Sequence, residues 1–240
     1  MKKLLLPLFI LMSFNLVAQP WKTINGDGNL KKETRHVSDF TSLFSRGPMD
    51  VQINYGTSNS ITVQADENLL QYIDARVENG KLIIQPRKNI NLKSHSKIIV
   101  YVSMTKINTL QLSGSGNING SGAFENDGET NMMVSGSGNI KVNSGNFEKL
   151  GLYVSGSGNI DLKGGSANEL NVAVSGSGNI DCSNVPTENA EVKISGSGNA
   201  KVNASKSVSA NISGSGNVFY KGEPDNISTK VMGSGKAIKI

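Results

Sequence analysis

Apolar and polar residues alternate through most of the second half of the chain. In the segment 150–162, LGLYVSGSGNIDL, the aliphatic side chains share one parity, and Gly156 and Gly158 fall on that same parity. Because successive side chains of a β-strand point to opposite faces, the pattern predicts strands with one buried face. Gly, Ser and Asn are abundant and are poor helix formers, so only the short stretch 67–75 is expected to be helical.

The alternation recurs with a period close to 20 residues. The pentapeptide SGSGN begins at Ser113, Ser135, Ser155, Ser175, Ser195 and Ser213, and a degraded copy, MGSGK, begins at Met232. A repeat of this length is typical of a solenoid, in which each repeat forms one coil. Aliphatic residues stand directly before and after most copies, as two buried columns require. Glycine is expected at each corner because it permits a sharp bend.

These patterns predict an all-β fold, a β-solenoid or parallel β-helix with right-handed coils of about 20 residues. Residues 113–240 are assigned to the repeat β-helix, and residues 19–112 to N-terminal coils with a hairpin-rich cap, the whole of 19–240 forming one structural unit. Asn79-Gly80 predicts a two-residue hairpin. The segments 25–30 and 45–51 are predicted to be degraded corners, and the asparagines of the corners are predicted to form a hydrogen-bonded ladder.

The first residues are predicted to be a secretory signal peptide. Lys2 and Lys3 precede an apolar run that is shorter than the ~20 residues of a membrane span. We therefore expect residues 1–18 to be removed and the protein to be exported to the periplasm, the outer-membrane surface or the medium, without a transmembrane span. Cys182 is the only cysteine, which excludes an intramolecular disulfide and favours a place in the core.

Composition gives little support to a nucleic-acid partner. The formal net charge of +5 is modest, and the basic residues are scattered along the chain. The sequence contains no phosphate-binding loop, no dinucleotide fingerprint and no metal-ligand spacing. We predict no cofactor, no metal site and no catalytic residue.

The order of the motifs resembles the head GIN domain family, described as auto-transporter adhesins of Gram-negative bacteria. The resemblance rests on the exported start, the Gly-Ser-Gly-Asn corners and the segments VSDF at 37–40, MDVQI at 49–53, NLL at 68–70 and NGKLII at 79–84. It covers essentially all of the mature chain. It implies a β-helix in a surface or periplasmic setting, and it supplies no catalytic or binding residues.

Asp161 and Asp181 are the candidate acidic pair. They hold the same outward position in consecutive coils and are expected to lie about 5 Å apart. Paired carboxylates suit a carbohydrate-active enzyme or a weak calcium site. The alternative is a charge ladder in which Lys141 offsets Asp161 and Lys201 offsets Asp181.

Met133, Tyr153 and Ala173 are the candidate binding surface. They stack in the outward column two residues before each corner, and solenoid faces of this kind provide long binding platforms. The alternative is that the N-terminal cap covers this face. We predict a non-catalytic, adhesin-like binding protein of the cell envelope, with a glycan or a surface protein as partner.

The sequence is also compatible with two other functions and with self-association. A carbohydrate-active enzyme of the polysaccharide lyase or hydrolase kind would use Asp161 and Asp181, whereas a purely structural envelope protein would bind no soluble ligand. Ile238 and Ile240 break the alternation of the last coil. An apolar, unpaired C-terminal edge of this kind is predicted to support self-association.

Overall fold

The computed structural model describes residues 21–240, and the predicted signal peptide lies outside them. A single 3₁₀ helix, Glu67–Tyr72, is found in this part of the chain, between β5 and β6. The strands are β1 Lys22–Asn25, β2 Leu30–Arg35, β3 Ser42–Gly47, β4 Asp50–Tyr55, β5 Ser60–Asp66, β6 Ile73–Glu78, β7 Lys81–Pro86, β8 Ile90–Lys93, β9 Ile99–Met104, β10 Thr109–Gly114, β11 Asn117–Gly136, β12 Asn139–Gly156, β13 Asn159–Leu162, β14 Gly165–Gly176, β15 Asn179–Gly196, β16 Asn199–Gly214, β17 Val218–Lys221, β18 Asn226–Gly233 and β19 Ala237–Lys239.

Parallel pairing of successive coils builds the body of the molecule. Corner glycines lie in register from coil to coil, with Gly136 against Gly156 and Gly156 against Gly176. The strand segments before the corners form one parallel face and those after the corners form another. The predicted fold class, a β-solenoid with about 20 residues per coil, is confirmed, and the solenoid has about 7 turns.

The corners are stacked backbone on backbone. The amides of Ser157 and Gly158 both donate to the carbonyl of Gly136, at 2.9 Å each. A Cβ on Gly158 would lie 2.1 Å from the carbonyl oxygen of Gly138 in the coil below. Gly156 has a φ of +118°, which residues with a side chain rarely adopt. The glycines are therefore required by the contact between coils as well as by the bend.

The predicted asparagine ladder is present and runs from Asn117 to Asn217. The amide of Asn159 donates to Oδ1 of Asn139 at 2.8 Å, and the amide of Asn179 donates to Oδ1 of Asn159 at 3.1 Å. At the start of the ladder, the side chain of Asn117 donates to Oδ1 of Asp50 at 2.8 Å.

The middle coils have a third parallel face, which the two buried columns of the sequence did not predict. On this face β14 begins at Gly165 and pairs with β12. Phe147 is in register with Ala167, and both are buried, as is Phe124 one coil earlier. These side chains fill the interior, so the segment stays extended and paired.

The N-terminal region contributes one full coil and a cap. Gly47 pairs with Gly114, so β3 and β4 continue the solenoid, and the predicted corner at 45–51 is confirmed. Beyond that coil, β6 and β7 form an antiparallel hairpin at Asn79-Gly80, where both residues have positive φ. Strands β5 and β2 also pair antiparallel, which gives the expected hairpin-rich cap.

One local expectation in the cap is wrong, and a second is confirmed only in part. The segment 25–30 is not a stacked corner, because it connects β1, which pairs only with β8 among the described strands, to β2. Gly26 packs there against the buried side chain of Asp66. The helix expected over 67–75 is shorter, since Ile73 already begins a strand that pairs with β7.

One continuous apolar core runs through the coils and the cap. Cys182 is fully buried in it, and its Sγ donates to the carbonyl of Lys201 at 3.1 Å. Burial raises the pKa of the Cys182 thiol, so the thiolate is disfavoured. Cys182 therefore occupies the core position that the alternation predicted.

Candidate functional site

A groove of about 590 Å³ crosses the face formed by the strand segments before the corners. It runs along the solenoid axis, because residues from successive coils line it in register. The side chains of Val154 and Val174 point into the core, so only their backbone reaches the groove. Its walls are therefore made by the outward columns on either side of these buried residues.

Met133, Tyr153 and Ala173 come together in one wall of this groove. Met133 pairs with Tyr153 and Tyr153 with Ala173, so neighbouring side chains are one inter-strand spacing, about 4.8 Å, apart. All three are half-buried. Every residue that lines the groove belongs to 111–232, so no lining residue comes from the cap.

The ring of Tyr153 lies back along its own strand, over Gly151. A Cβ on Gly151 would lie 2.7 Å from Cε2 and 2.8 Å from Oη of Tyr153. The neighbouring coils carry Asn131 and Asn171 in this position, so Gly151 is the exception in its column. That exception in the sequence was the available signal for a special role of Gly151, and the sequence reasoning missed it.

The opposite wall is the row of serines that open the corners. Ser135, Ser155 and Ser175 lie in register along it, and Met232 lines the groove in the last coil. The wall thus offers one hydroxyl in each coil from Ser135 to Ser213 and a thioether in the last coil.

Lys193 extends the first wall beyond Ala173, with which it pairs. Its Nζ lies 2.7 Å from a carboxylate oxygen of Glu191, and both side chains are more than half exposed. The hydrogen bond with Glu191, together with the charge of Glu191, raises the pKa of Lys193, so the ammonium form is retained. Two coils further on, Lys230 occupies the same column.

Asp161 and Asp181 also lie in register, but on the face after the corners and away from the groove. Lys201 pairs with Asp181 at 3.2 Å, as the charge-ladder alternative expected. Asp161 instead contacts Lys163 of its own coil at 2.7 Å, so the expected partner Lys141 does not make that contact.

The chemistry of Asp181 does not fit a general acid. Partial burial acts to raise its pKa, but hydrogen bonds from Ser183 and the ion pair with Lys201 outweigh burial and lower the pKa. The hydroxyl of Ser183 donates to Oδ1 of Asp181 at 2.8 Å. A carboxyl that delivers a proton near neutral pH needs a raised pKa instead.

Neither a metal-binding cluster nor a membrane-spanning helix is found within residues 21–240. No group of three or more His, Cys, Asp or Glu side chains in this part of the chain is placed to hold a metal ion. Likewise, none of the helices within these residues has the length and apolar character to cross a membrane.

The geometry defines a β-solenoid protein with an antiparallel N-terminal cap and an open lateral groove. The family model described as "Putative auto-transporter adhesin, head GIN domain" matches residues 39–224. The chain belongs to this family, as its motifs indicated. No curated protein matches the chain.

Solved structures of similar chains have the same fold. The structure of a putative adhesin from Bacteroides fragilis matches with a TM-score of 0.82 at 21% identity, and the match covers 90% of this chain and 100% of the other. The structure of a putative adhesin from Parabacteroides merdae matches with a TM-score of 0.79 at 23% identity, covering 91% of this chain and 99% of the other. A structure from Parabacteroides distasonis titled "Putative lipid binding protein" has a TM-score of 0.73 at 27% identity, covering 91% and 100%.

Proposed function

We propose that the protein is an exported, non-catalytic binding protein of the cell envelope, and that the groove beside Tyr153 is its binding surface. The observation that carries this proposal is the alignment of Met133, Tyr153 and Ala173 in one open wall. Small-molecule and chain-like ligands bind in concave, mostly apolar sites with a few polar groups, and this groove has that composition. The adhesin description of the family supports a role in contact with molecules outside the cell.

Binding with and without the Tyr153 ring tests the proposal. The mature chain is screened against glycans, envelope proteins and lipids, the last because one structural relative carries a lipid-binding title. Tyr153→Ala is expected to weaken binding of the ligand found by tenfold or more, as for an aromatic side chain at the centre of an interface. Tyr101→Ala is the matched control, since Tyr101 is a half-buried outward tyrosine on the other face. Unchanged affinity in Tyr153→Ala would remove the groove as the binding surface.

An enzymatic role for the acidic pair is not favoured by the geometry. Asp161 and Asp181 each have a lysine partner, and no third carboxylate of the described residues joins them into a metal-binding group. Polysaccharide depolymerisation is therefore expected to be absent. Activity that disappears in both Asp161→Asn and Asp181→Asn would establish the carbohydrate-active alternative. Absence of any binding partner as well would favour a purely structural envelope protein.

Self-association is proposed to use the edge of the last coil. Within residues 21–240, strands β18 and β19 pair on one side only, with β16 and β17. On β18, Ile227 and Val231 are 50% and 39% exposed, although their neighbours one coil earlier are buried. An antiparallel pair of β18 strands centred on Thr229 would place Ile227 of one copy opposite Val231 of the other and keep the two Lys230 side chains apart.

Light scattering tests this contact. We expect a concentration-dependent dimer that Val231→Lys converts to a monomer. The two-fold symmetry of the β18 pair would place the new charge against Ile227 of the other copy, in an apolar contact. Lys230→Ser, a change on the outward face of the same strand, should leave the dimer intact. A monomer at every concentration tested would overturn the proposal.

Export is proposed from the N-terminal sequence and from the family description. Expression in a Gram-negative host should give a mature protein that lacks residues 1–18. N-terminal sequencing of the fractionated protein measures this, and recovery of the uncleaved chain in the cytoplasm would contradict it.

A further inference from the structure

The groove changes character along its length. The first wall begins at Gln111, is apolar over the next three coils at Met133, Tyr153 and Ala173, and continues with Lys193 and Asn211. Across from Lys193 and Asn211 lie the hydroxyls of Ser195 and Ser213, with Met232 beyond them. A ligand that lies from Met133 to Lys193 therefore has an apolar part followed by a polar end.

The polar end of the groove is cationic. Lys193 has one acidic neighbour, Glu191, in an exposed ion pair that contributes little and is readily rearranged. Lys230 lies two coil spacings from Lys193 and makes no ion pair within residues 21–240. Lys193 lines the groove, and Lys230 lies outside the lining, further along the same column. Their two ammonium groups outnumber the carboxylate of Glu191, which favours an anionic group on the ligand.

The stretch of the wall from Met133 to Lys193 has the length of one acyl chain. From Met133 to Lys193 is three inter-strand steps, or about 14 Å. A single acyl chain spans half of the ~30 Å hydrocarbon core of a bilayer, which is about 15 Å. The groove volume of about 590 Å³ lies within the range of sites for small ligands.

We propose that this groove binds one acyl chain that carries an anionic head, with the chain along Met133, Tyr153 and Ala173 and the head beside Lys193, on the side that faces Lys230. The proposal rests on the proposed binding role of the groove and specifies its ligand class. A glycan fits less well, because the polar atoms lie mainly along one wall and the other wall is apolar over three coils. The flat ring of Tyr153 provides a surface against which the methylene groups can pack.

Calorimetry with sodium dodecanoate, below its micelle-forming concentration, tests the chemistry. We expect one site per chain and a loss of about threefold to fourfold in affinity for each methylene removed, if the chain is buried. Ala173→Trp, which fills the groove, should abolish binding, while Ala123→Trp on an exposed part of the third face should not. Equal affinities for dodecanoate and hexanoate would overturn the proposal.

Charge reversal tests the orientation. The wild type should prefer dodecanoate to dodecyltrimethylammonium, and Lys193→Glu combined with Lys230→Glu should reverse that preference. Lys141→Glu is the matched control, because Lys141 is an exposed outward lysine on the other face. A preference that stays unchanged in the double variant would show that these lysines do not hold the head.

The outcomes separate this proposal from the more general one. If dodecanoate does not bind, but a glycan or protein ligand is lost in Tyr153→Ala, the binding role of the groove stands and the acyl-chain proposal is wrong. If the protein sediments with phosphatidylglycerol vesicles but does not bind dodecanoate, the groove face docks on membranes and does not accommodate a single chain. If Tyr153→Ala changes no interaction at all, both proposals fail.

Discussion

The aromatic ring of Tyr153 occupies the space that a side chain at position 151 would need. A Cβ on Gly151 would lie 2.7 Å from Cε2 of the ring, closer than real Cβ contacts allow. The absence of a side chain at Gly151 thus leaves room for the Tyr153 ring, and for Oδ1 of Asn131, in the positions that they hold beside the groove. A glycine at position 151 is therefore linked to the position of Tyr153 in the candidate binding surface.

Gly151→Ala should therefore move the Tyr153 ring without unfolding the protein. The added methyl group meets the ends of the Tyr153 and Asn131 side chains, which can rotate away, so we expect a change in unfolding free energy of about 1 kcal/mol or less. Ligand affinity should fall severalfold. A crystal structure of the variant locates the ring, and a titration measures the affinity.

A double-mutant cycle provides the control for this prediction. In a Tyr153→Ala background, Gly151→Ala should have no further effect on affinity, because the ring that it displaces is absent. An unmoved ring in Gly151→Ala, or an equal loss of affinity in both backgrounds, would contradict the proposed relationship.

Gly158→Ala is expected to be severely destabilising. Its methyl group would lie 2.1 Å from the carbonyl oxygen of Gly138 and 2.6 Å from Cγ1 of Val134, and both belong to buried, stacked coils. We expect a loss of about 3 kcal/mol or more in urea unfolding, or no folded protein. Gly235→Ala makes the same close contact in the last coil, with Gly216, but no described coil lies above it. That variant should lose less than half as much, and equal losses would contradict the argument.

The asparagine ladder is expected to stabilise the stack through its hydrogen bonds. Asn159 donates to Asn139 at 2.8 Å and accepts from both the backbone and side-chain amides of Asn179 at 3.1 Å. Asn159→Ala should cost about 1–2 kcal/mol in urea unfolding, because it removes the partners of polar groups on both sides. Ser157→Ala, at an exposed corner position, should change stability by less than about 0.5 kcal/mol. A null effect in Asn159→Ala would mean that water replaces the ladder at no cost.

The alternation predicted the solenoid because each coil obeys the same two-residue period. It predicted that Met133, Tyr153 and Ala173 share a column, since residues 20 positions apart stack directly. The third face was not predicted, because the segments around Phe124 and Phe147 differ in length between coils and the pairing of β11 with β12 there contains register shifts. A fixed sequence period cannot predict which residues stack where the pairing register shifts between neighbouring coils.

Specific side-chain contacts could not be predicted from the sequence either. The pairing of Asp161 with Lys163 in place of Lys141 depends on side-chain directions that the column order does not specify. The segment 25–30 matched a corner by composition, yet its position is determined by Gly26 packing against Asp66, a residue 40 positions away. Local patterns identify corners reliably only where neighbouring copies confirm the register.

Asp66 connects the cap to the segment that follows β8. Its side chain is fully buried, and Oδ2 accepts hydrogen bonds from the amide of His95 at 2.9 Å and from the hydroxyl of Ser94 at 3.1 Å. The hydrogen bond from the amide of His95 lowers the pKa of Asp66 below its ordinary value, although burial acts in the opposite direction. The imidazole of His95, with Nδ1 at 3.6 Å, is the charged neighbour when it is protonated.

The cap should consequently lose stability in acid. A carboxyl whose pKa is lowered by folding stabilises the native state above its unfolded pKa of about 3.9, and this contribution disappears as the pH falls through the native pKa. The difference in unfolding free energy between the wild type and Asp66→Asn should therefore be constant near neutral pH and shrink below about pH 4. Urea unfolding at a series of pH values measures it. Asp225→Asn, at an exposed residue near the last coil, is the control and should show no such pH dependence. A difference for Asp66→Asn that stays constant down to about pH 2 would show that the carboxylate form of Asp66 does not stabilise the cap.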